Sequence, residues 1–370
     1  MELILSENRS IEHIKTSIGG QALIEGIMMR GPKKVAMAVR RIDSGEMIVK
    51  DWENSAGKAP KILKLPIIRG IYNFIFSMKL GYKCLMDSAE LSGMDELEEN
   101  EKKGKKTRSS PETSETSQAS ETPNNDGINT DFTNDAETQA SQTDTNAHAN
   151  TRPAGTEKKS GGALWNLLMA AASVLGVVLS LVLFIYIPSL LFSLLASAVP
   201  SLEGRFTRSL FEGVLRIVIF VIYMALVAQL KDIRRTFMYH GAEHKTIFCY
   251  EAGFELTVEN VRIQRRFHPR CGTSFMILML IVGIFISMFI TVTNPILRTL
   301  IKLCLLPITV GVGYELIKFA GRHDNIITKI ISAPGVWLQH ISVLEPDDGM
   351  IECAIEAVKR VIPDDGSDRW

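Results

Sequence analysis

ALWNLLMAAASVLGVVLSLVLFIYIPSLLFSLLASAV, residues 163–199, contains no charged residue. A helix needs about 20 residues to cross the roughly 30 Å hydrocarbon core of a bilayer, and this run is longer. Residues 273–293 are also uncharged, and residues 213–230 and 299–320 are nearly as apolar. Buried helices of soluble proteins seldom stay uncharged over such lengths. The sequence therefore predicts a mainly α membrane protein with about four transmembrane helices.

Overall composition says little about partners. The 370 residues include 41 basic and 41 acidic side chains, so the formal net charge is zero. The N-terminus lacks a basic region followed by an apolar segment, so it shows no cleavable signal peptide. The five cysteines have no paired spacing, which argues against a disulfide framework and favours a reducing compartment.

The local charges predict how the chain is oriented. Residues 231–272 carry eight Lys or Arg against five acidic residues, so the positive-inside rule places them in the cytoplasm. With four spans, both termini are then predicted to be cytoplasmic. Arg205, Arg208 and Arg298 fall in the predicted short outer loops and weaken this bias.

The N-terminal part is predicted to be a small cytoplasmic β-rich unit over residues 1–60. KVAMAVRR and EMIVKDW flank an Asp43-Ser44-Gly45 turn, which is typical of a hairpin. Residues 61–90 have apolar side chains at helical spacing, interrupted by basic ones. We expect an amphipathic helix in the headgroup layer, with a fifth, imperfect span as the alternative.

Three further segments complete the predicted organisation. Residues 91–160 are rich in Ser, Thr, Glu, Asp, Asn and Gln and cannot bury enough apolar surface to fold, which predicts a disordered polar linker. Residues 161–322 form the four-span membrane domain with its cytoplasmic loop, 231–272. Residues 323–370 form a cytoplasmic segment in which VLEPDDGMIECAIEAVKRVIP predicts an amphipathic helix capped by Asp347 or Asp348.

Metal-ligand chemistry is concentrated in MYHGAEHKTIFCYEAG, residues 238–253. His240 and His244 are four residues apart, so on a helix continuing the second span their rings share one face. Glu243 completes the spelling His-x-x-Glu-His, the inverted zinc-protease motif, in which the glutamate acts as base on bound water.

A second pair of donors occurs in HPRCGTSF, residues 268–275. His268 and Cys271 flank a Pro-containing turn, and such short spacing lets two side chains converge on one ion. The loop returns to the membrane surface between the two motifs. The predicted metal ligands are therefore His240, His244, His268 and Cys271, holding zinc or another divalent metal.

Glu315 is a possible additional site residue. It lies inside the cytoplasmic end of the fourth span, where ionisable groups are costly and usually functional. Its depth places it close to the helix of His240, as a ligand or partner. Lys318, three residues later, would instead simply neutralise it.

The number of protein ligands on the metal distinguishes a catalytic site from a structural one. Three histidines with Glu243 as base leave a coordination position open, which favours a hydrolase acting at the cytoplasmic bilayer surface on a lipid-linked or membrane substrate. Adding Cys271 closes the site, which favours a structural zinc in a non-enzymatic scaffold that recruits a cytoplasmic or membrane protein partner.

RIQRRFHPR, residues 262–270, supplies a basic cluster. Arg265 and Arg266 are candidates for binding an anionic group or lipid headgroup. The cluster does not predict a nucleic-acid partner, because Phe267 is the single aromatic residue there and topology alone requires a basic loop.

Five separated motifs together resemble the YqhQ-like family of bacterial multi-pass membrane proteins. They are GGQALIEGIMMRGP (19–32), LPIIRGIYNF (65–74), YHGAEHKTIFCYE (239–251), RRFHPRCGTSF (265–275) and LEPDDGMIECAI (344–355). The resemblance implies a predicted metal-dependent enzyme of unknown function and names no substrate. It supports the same site residues, His240, Glu243, His244, His268 and Cys271, and adds Gln21, Glu25, Arg30 and Arg69 as positions of interest.

Overall fold

A computed structural model of the chain describes residues 14–55, 60–94, 162–200, 204–292, 294–323 and 325–369. The predicted linker, 91–160, lies almost entirely outside these residues and stays a prediction. The described residues before 95 and from 176 onward form one compact unit. Residues 162–175 belong to a second unit and are described by themselves.

The N-terminal part is a four-stranded antiparallel sheet in the order β1-β2-β3-β4. The strands are β1 (Gly19–Leu23), β2 (Gly26–Arg30), β3 (Lys34–Arg40) and β4 (Met47–Glu53). Arg40 pairs with Met47 across the β3–β4 turn, so the predicted hairpin is present. The predicted fold class, a mainly α protein with a small β-rich N-terminal unit, is confirmed.

The remaining described elements are helical. They are a 3₁₀ turn (Lys61–Lys64), α1 (Ile68–Ser92), α2 (Gly162–Leu181), a π turn (Val182–Tyr186), α3 (Ile187–Ala198), α4 (Arg205–Val227), α5 (Lys231–Glu251), α6 (Val258–Arg262), α7 (Gly272–Met288), α8 (Pro295–Arg322), α9 (Ile326–Ser342) and α10 (Asp348–Val361).

Among the described residues, three helical segments are long and apolar enough to cross a membrane: Val174–Ala198, Phe206–Val227 and Ile296–Arg322. They correspond to the first, second and fourth predicted spans. The third predicted span forms the shorter apolar helix α7, which has 17 residues. The protein is therefore membrane-associated through at least these three helices.

The first span changes its winding beside Pro188. The π turn ends just before α3, in which Pro188 is at the start. Proline has no N–H to donate and its ring crowds the carbonyl four residues earlier, which here belongs to Phe184. The Phe184 carbonyl accepts a hydrogen bond from Arg216 Nε of α4 instead, at 2.7 Å. Pro188 thus changes the winding within one candidate span, Val174–Ala198.

Two expectations about the second span need correction. It begins earlier than predicted, because α4 starts at Arg205, so Arg208 lies in a helix and not in an outer loop. The helix of His240 does not continue this span. Leu230 has an extended backbone, and a new helix, α5, begins at Lys231 with Asp232 in its first turn. Much of the predicted polar loop 231–272 is therefore helical.

The C-terminal helix α10 has the predicted amphipathic character and cap. The Asp347 side chain accepts a hydrogen bond from the Met350 main-chain N–H at 2.9 Å. Its apolar face, which includes Ile351 and Val358, is buried against the sheet and α5 in the main hydrophobic cluster. The helix α9 was not predicted. Its buried Gln339 bonds to the main chain of the 262–271 connection.

Candidate metal centre

Three potential metal ligands converge where α5 meets the start of α7. His240 and His244 lie on α5, one turn apart, with ring centroids separated by 4.5 Å. Cys271 is the residue immediately before α7, and its Sγ lies 3.0 Å from His240 Nε2. One ligand atom from each residue lies within 4.8 Å of the others. We call His240, His244 and Cys271 the histidine cluster.

Main-chain carbonyls orient both imidazoles. His240 Nδ1–H donates to the Ser342 carbonyl at 2.9 Å, and His244 Nδ1–H donates to the Arg266 carbonyl at 2.5 Å. In the neutral ring, the form that a metal ligand requires, Nε2 is then the atom that carries the lone pair. His244 is only 1% exposed, and its Nε2 has no hydrogen-bond partner among the described residues.

Gly241 lets the C-terminal chain approach α5 closely. A Cβ built at Gly241 would lie 1.9 Å from the Leu344 carbonyl oxygen, so a larger residue would push this chain away. The same stretch carries the Ser342 carbonyl that orients His240. The glycine between the two motif positions therefore serves a packing requirement of the site.

The electrostatics of the cluster favour a thiolate. Burial opposes ionisation of Cys271, yet charge on His240 and His244 outweighs it and holds the pKa of this thiol well below its usual value. Burial alone would lower the pKa of His240, but the charge of Cys271 and the hydrogen bond to it raise that pKa to about 9. Deprotonated sulfur is the form that ligates metals.

Glu243 is buried beside the cluster with its own fixed partner. The Gly20 main-chain N–H of β1 donates to Glu243 Oε1 at 2.9 Å. A Cβ at Gly20 would lie 3.0 Å from the Glu243 carboxyl carbon and 2.6 Å from the Met28 carbonyl oxygen, so glycine permits this approach. Burial raises the pKa of Glu243 above its usual value, and His240 and His244 oppose this only in part.

His268 lies next to the cluster but outside the group of three. Its ring centroid is 5.6 Å from that of His244. Its Nδ1 accepts a hydrogen bond from the Arg270 main-chain N–H at 3.2 Å, and its Nε2 is 3.8 Å from Glu251 Oε2. Burial lowers the pKa of His268 to about 4. The imidazole is therefore neutral, and its role as a ligand stays a prediction.

A cavity of about 360 Å³ opens beside these residues. Glu243, His244, His268 and Cys271 line one side, and β1 and β2 line another. Side chains of α1, α7 and α8 close the remaining wall; they include Asn73, Phe74, Leu80, Phe275, Tyr314 and Ile317. The cavity therefore joins the polar cluster to apolar groups of the helices.

The chain matches a described protein family over most of its length. A family model described as "Protein of unknown function (DUF1385)" matches residues 65–364. The chain belongs to the DUF1385 family. It is 29% identical over 351 residues to the uncharacterized protein YqhQ of Bacillus subtilis (strain 168), which covers 94% of this chain and 93% of that protein. The resemblance inferred from the sequence is thereby confirmed. No solved structure matches.

In this DUF1385 protein, Arg30 is a cavity residue without a carboxylate partner among the described residues. It lies at the end of β2, and its Nη1 donates to Ser77 Oγ at 2.9 Å. Its guanidinium also lies 5.9 Å from the centroid of the Phe76 ring. Burial lowers the pKa of Arg30, and an arginine nevertheless stays charged. Arg30 thus supplies a partly buried positive charge to the cavity.

Other predicted site residues lie elsewhere. Glu315 forms a two-point ion pair with Arg69 of α1, with Arg69 Nε and Glu315 Oε1 2.7 Å apart, so its hydrogen-bonded partner is Arg69 and not a side chain of α5. Arg265 stacks over the Phe248 ring at 4.4 Å. Arg266 lies 3.4 Å from Glu345. Neither arginine is among the cavity-lining residues.

Sequence reasoning missed the parts of the site that depend on main-chain approach. The carbonyls of Ser342 and Arg266 carry no residue-type signal, so their contacts with the histidines could not be inferred. Gln21, Gly20 and Arg30 do occur in the quoted motif GGQALIEGIMMRGP, and all three line the cavity. Clustering of polar residues and glycines in this motif was the available signal.

Proposed function

We propose that this protein is a metal-dependent hydrolase of the membrane surface, with zinc or another divalent ion held by His240, His244 and Cys271. The buried Nε2 of His244, oriented as a lone-pair donor and without a hydrogen-bond partner among the described residues, carries the proposal. A buried polar atom without a partner is costly, and a bound cation would satisfy it.

The donor set fits a divalent metal. Two imidazoles and a thiolate are typical zinc ligands, and catalytic zinc sites commonly use three protein ligands. Both rings have the backbone hydrogen bonds that fix the ligating nitrogen. When bound, such an ion supplies Lewis-acid chemistry. A group of three ligands is the number that leaves a further position for substrate or water.

Glu243 is proposed as the proton-transfer residue. It lines the cavity, is adjacent in sequence to a proposed ligand, and its Oε1 is held by the Gly20 N–H. The raised pKa of this carboxyl makes its carboxylate a stronger base than an ordinary one, which suits a group that takes and returns a proton. Glu243 would take a proton from the attacking water onto a carboxylate oxygen and pass it to the leaving group.

Arg30 suggests what kind of substrate enters. A guanidinium in a cavity pairs well with phosphate or carboxylate. The same cavity is walled by Phe74, Leu80 and Phe275, which suit an apolar chain. We therefore propose a lipid-linked or membrane-inserted substrate with an anionic group placed on Arg30.

The proposed location is the cytoplasmic side of a bacterial cytoplasmic membrane, with both termini in the cytoplasm. Helix α1 supports a position in the headgroup layer, because Ile75, Met78, Tyr82 and Met86 form an exposed apolar stripe at helical spacing. Arg265 and Arg266, outside the cavity, are proposed to contact anionic headgroups.

The decisive experiment separates metal binding from proton transfer. Glu243→Gln should retain metal and fold but fail to complement a deletion strain, because an amide cannot accept the proton. Glu259→Gln, a matched change at an exposed position, should complement fully. Metal content and coordination number are measured on detergent-purified protein by elemental analysis and X-ray absorption. Full complementation by metal-loaded Glu243→Gln would exclude the enzymatic proposal.

The alternative is a membrane scaffold with a structural zinc that recruits a protein partner. The proximity of His268 to His244 favours it, since a modest ring movement would add a fourth ligand and close the site. Four protein ligands in the X-ray absorption spectrum, together with a silent Glu243→Gln, would select this alternative.

A further inference from the structure

A second charged cluster lies within the membrane-spanning helices. Glu212 of α4 is 2.9 Å from Arg208 Nε, 3.0 Å from Lys302 Nζ and 3.5 Å from Arg216 Nη2. Arg298 of α8 joins this group through Ser209 Oγ, which accepts from its Nη2 at 2.8 Å. We call Arg208, Arg216, Arg298 and Lys302 the cationic cluster.

This cluster carries more positive than negative charge. Among the described residues, Glu212 is the carboxylate that pairs with three of these side chains, those of Arg208, Arg216 and Lys302. Glu212 is 1% exposed and Arg298 is 4% exposed. The Arg298 Nε has no hydrogen-bond partner among the described residues. Excess charge is expensive at membrane depth and usually marks a functional site.

An apolar cavity of about 350 Å³ adjoins the cluster. Arg216 and Lys302 line it together with apolar side chains of α4, α7 and α8, such as Phe220, Met279 and Leu306. It shares no lining residue with the cavity of the histidine cluster. Lys302 lines this cavity, and Tyr314 lines the cavity of the histidine cluster. The two residues are separated along α8 by roughly 18 Å at the helical rise of about 1.5 Å per residue. The two sites are therefore distinct.

We propose that the cationic cluster binds a phosphate-bearing anion, supplied by an anionic phospholipid whose acyl chain occupies the adjoining cavity. Arginine and lysine are the side chains that pair best with phosphate oxygens. Arg208 and Arg298 are each in the first turn of their helix, near one end of the spans, and Lys302 lies one turn deeper. This arrangement matches a headgroup at the bilayer surface with a chain running inward.

The test uses the full-length protein in detergent, titrated with short-chain phosphatidylglycerol, short-chain phosphatidylcholine or inorganic phosphate. Binding is followed by native mass spectrometry and thermal shift. Phosphatidylglycerol should bind better than phosphatidylcholine, and Lys302→Gln should weaken it by about tenfold or more, because a charged hydrogen bond is lost. Lys302→Arg should retain binding. Lys50→Gln, the same change on an exposed strand, should leave it unaltered.

The titrations with these three ligands also identify the source of the phosphate. Binding of phosphatidylglycerol but not inorganic phosphate supports the lipid, whereas saturable binding of inorganic phosphate that Lys302→Gln abolishes supports the same site with a free anion as ligand. Equal binding of both lipids by the wild type, or unchanged binding in a folded Lys302→Gln variant, overturns the proposal. If Lys302→Gln does not fold, the comparison of lipids on wild type and Lys302→Arg decides in the same way.

Discussion

The histidine cluster and the cationic cluster are both buried groups of polar side chains, yet they suit ions of opposite sign. In the histidine cluster, main-chain carbonyls accept hydrogen bonds from Nδ1–H, so in the neutral rings the Nε2 atoms that lie near Cys271 are the lone-pair donors. In the cationic cluster, the side chains around Glu212 are hydrogen-bond donors, and one of them, Arg298 Nε, has no acceptor among the described residues.

This difference shows that local hydrogen bonding decides what a buried polar group binds. Both clusters use residues that can carry positive charge. A hydrogen bond that fixes the tautomer of a histidine prepares its other nitrogen for a metal, and the Ser342 and Arg266 carbonyls accept such bonds. Arginine has no lone pair to offer, so its cluster requires an anion. A mutation in one cluster should therefore affect the ion that this cluster suits and leave the other cluster unchanged.

Glu212→Gln should give the largest effect on stability. It removes the negative charge around which Arg208, Arg216 and Lys302 are arranged, and breaking a buried ion pair costs about 3–5 kcal/mol. We expect a large drop in the thermal unfolding midpoint in detergent, with metal content per folded molecule unchanged. The matched Glu352→Gln breaks an exposed pair with Arg40 and should cost less than about 1 kcal/mol. Equal midpoints for the two variants would contradict the central role of Glu212.

Cys271→Ala should act on the other cluster alone. Loss of one of three ligands is expected to weaken zinc binding by more than about 100-fold, since even partners that only orient ligands contribute 10–100-fold. Competition with a chromogenic chelator measures this affinity. Cys304→Ala, at an exposed cysteine, should bind zinc like the wild type. Equal zinc affinities in the two variants would show that Cys271 is not a ligand, while reduced phosphatidylglycerol binding in Cys271→Ala would show that the clusters are coupled.

The sequence predicted those features that periodicity and charge encode locally. Three of the four apolar runs correspond to helices long and apolar enough to span a membrane, the Asp43-Ser44-Gly45 turn identified the hairpin, and the His-x-x-Glu-His spelling located the two α5 histidines that lie beside Cys271. These features depend on neighbouring residues along one segment. Cys271 was also found, because its connection had to return to the membrane surface where α5 begins.

Features that depend on tertiary approach were not predictable in the same way. Arg208 and Arg298 were placed in outer loops, since arginine is rare in spans, whereas Glu212 makes their burial tolerable within α4 and α8. The pairing of Arg69 with Glu315 joins helices separated by over 200 residues. Helix α9 was missed because Lys329, Pro334 and Gly335 interrupt its apolar pattern.

Gly241→Ala should produce an intermediate effect on the histidine cluster. The added Cβ would overlap the Leu344 carbonyl, and forcing extra atoms into a packed site costs about 1–3 kcal/mol. The shift should also carry the Ser342 carbonyl away from His240 and weaken zinc binding. Gly283→Ala, where the nearest atom lies 4.0 Å from the new Cβ, is the control for an added methyl group. Thermal unfolding and zinc affinity equal to this control would show that the close approach is not required.

Arg266→Ala should produce the smallest effect, although this residue contacts the histidine cluster. Its main-chain carbonyl accepts the His244 Nδ1 proton, and this atom is kept when the side chain is shortened. The side chain itself makes a partly exposed pair with Glu345, at 3.4 Å, and such a pair contributes about 0–1 kcal/mol. We therefore expect unchanged zinc affinity and a nearly unchanged unfolding midpoint for Arg266→Ala. The comparison variant is Arg30→Ala, which should also retain zinc but should abolish complementation. A strong loss of zinc in Arg266→Ala would mean that the Arg266 side chain is needed to position the carbonyl that orients His244. The main-chain and side-chain contributions of Arg266 could then not be separated.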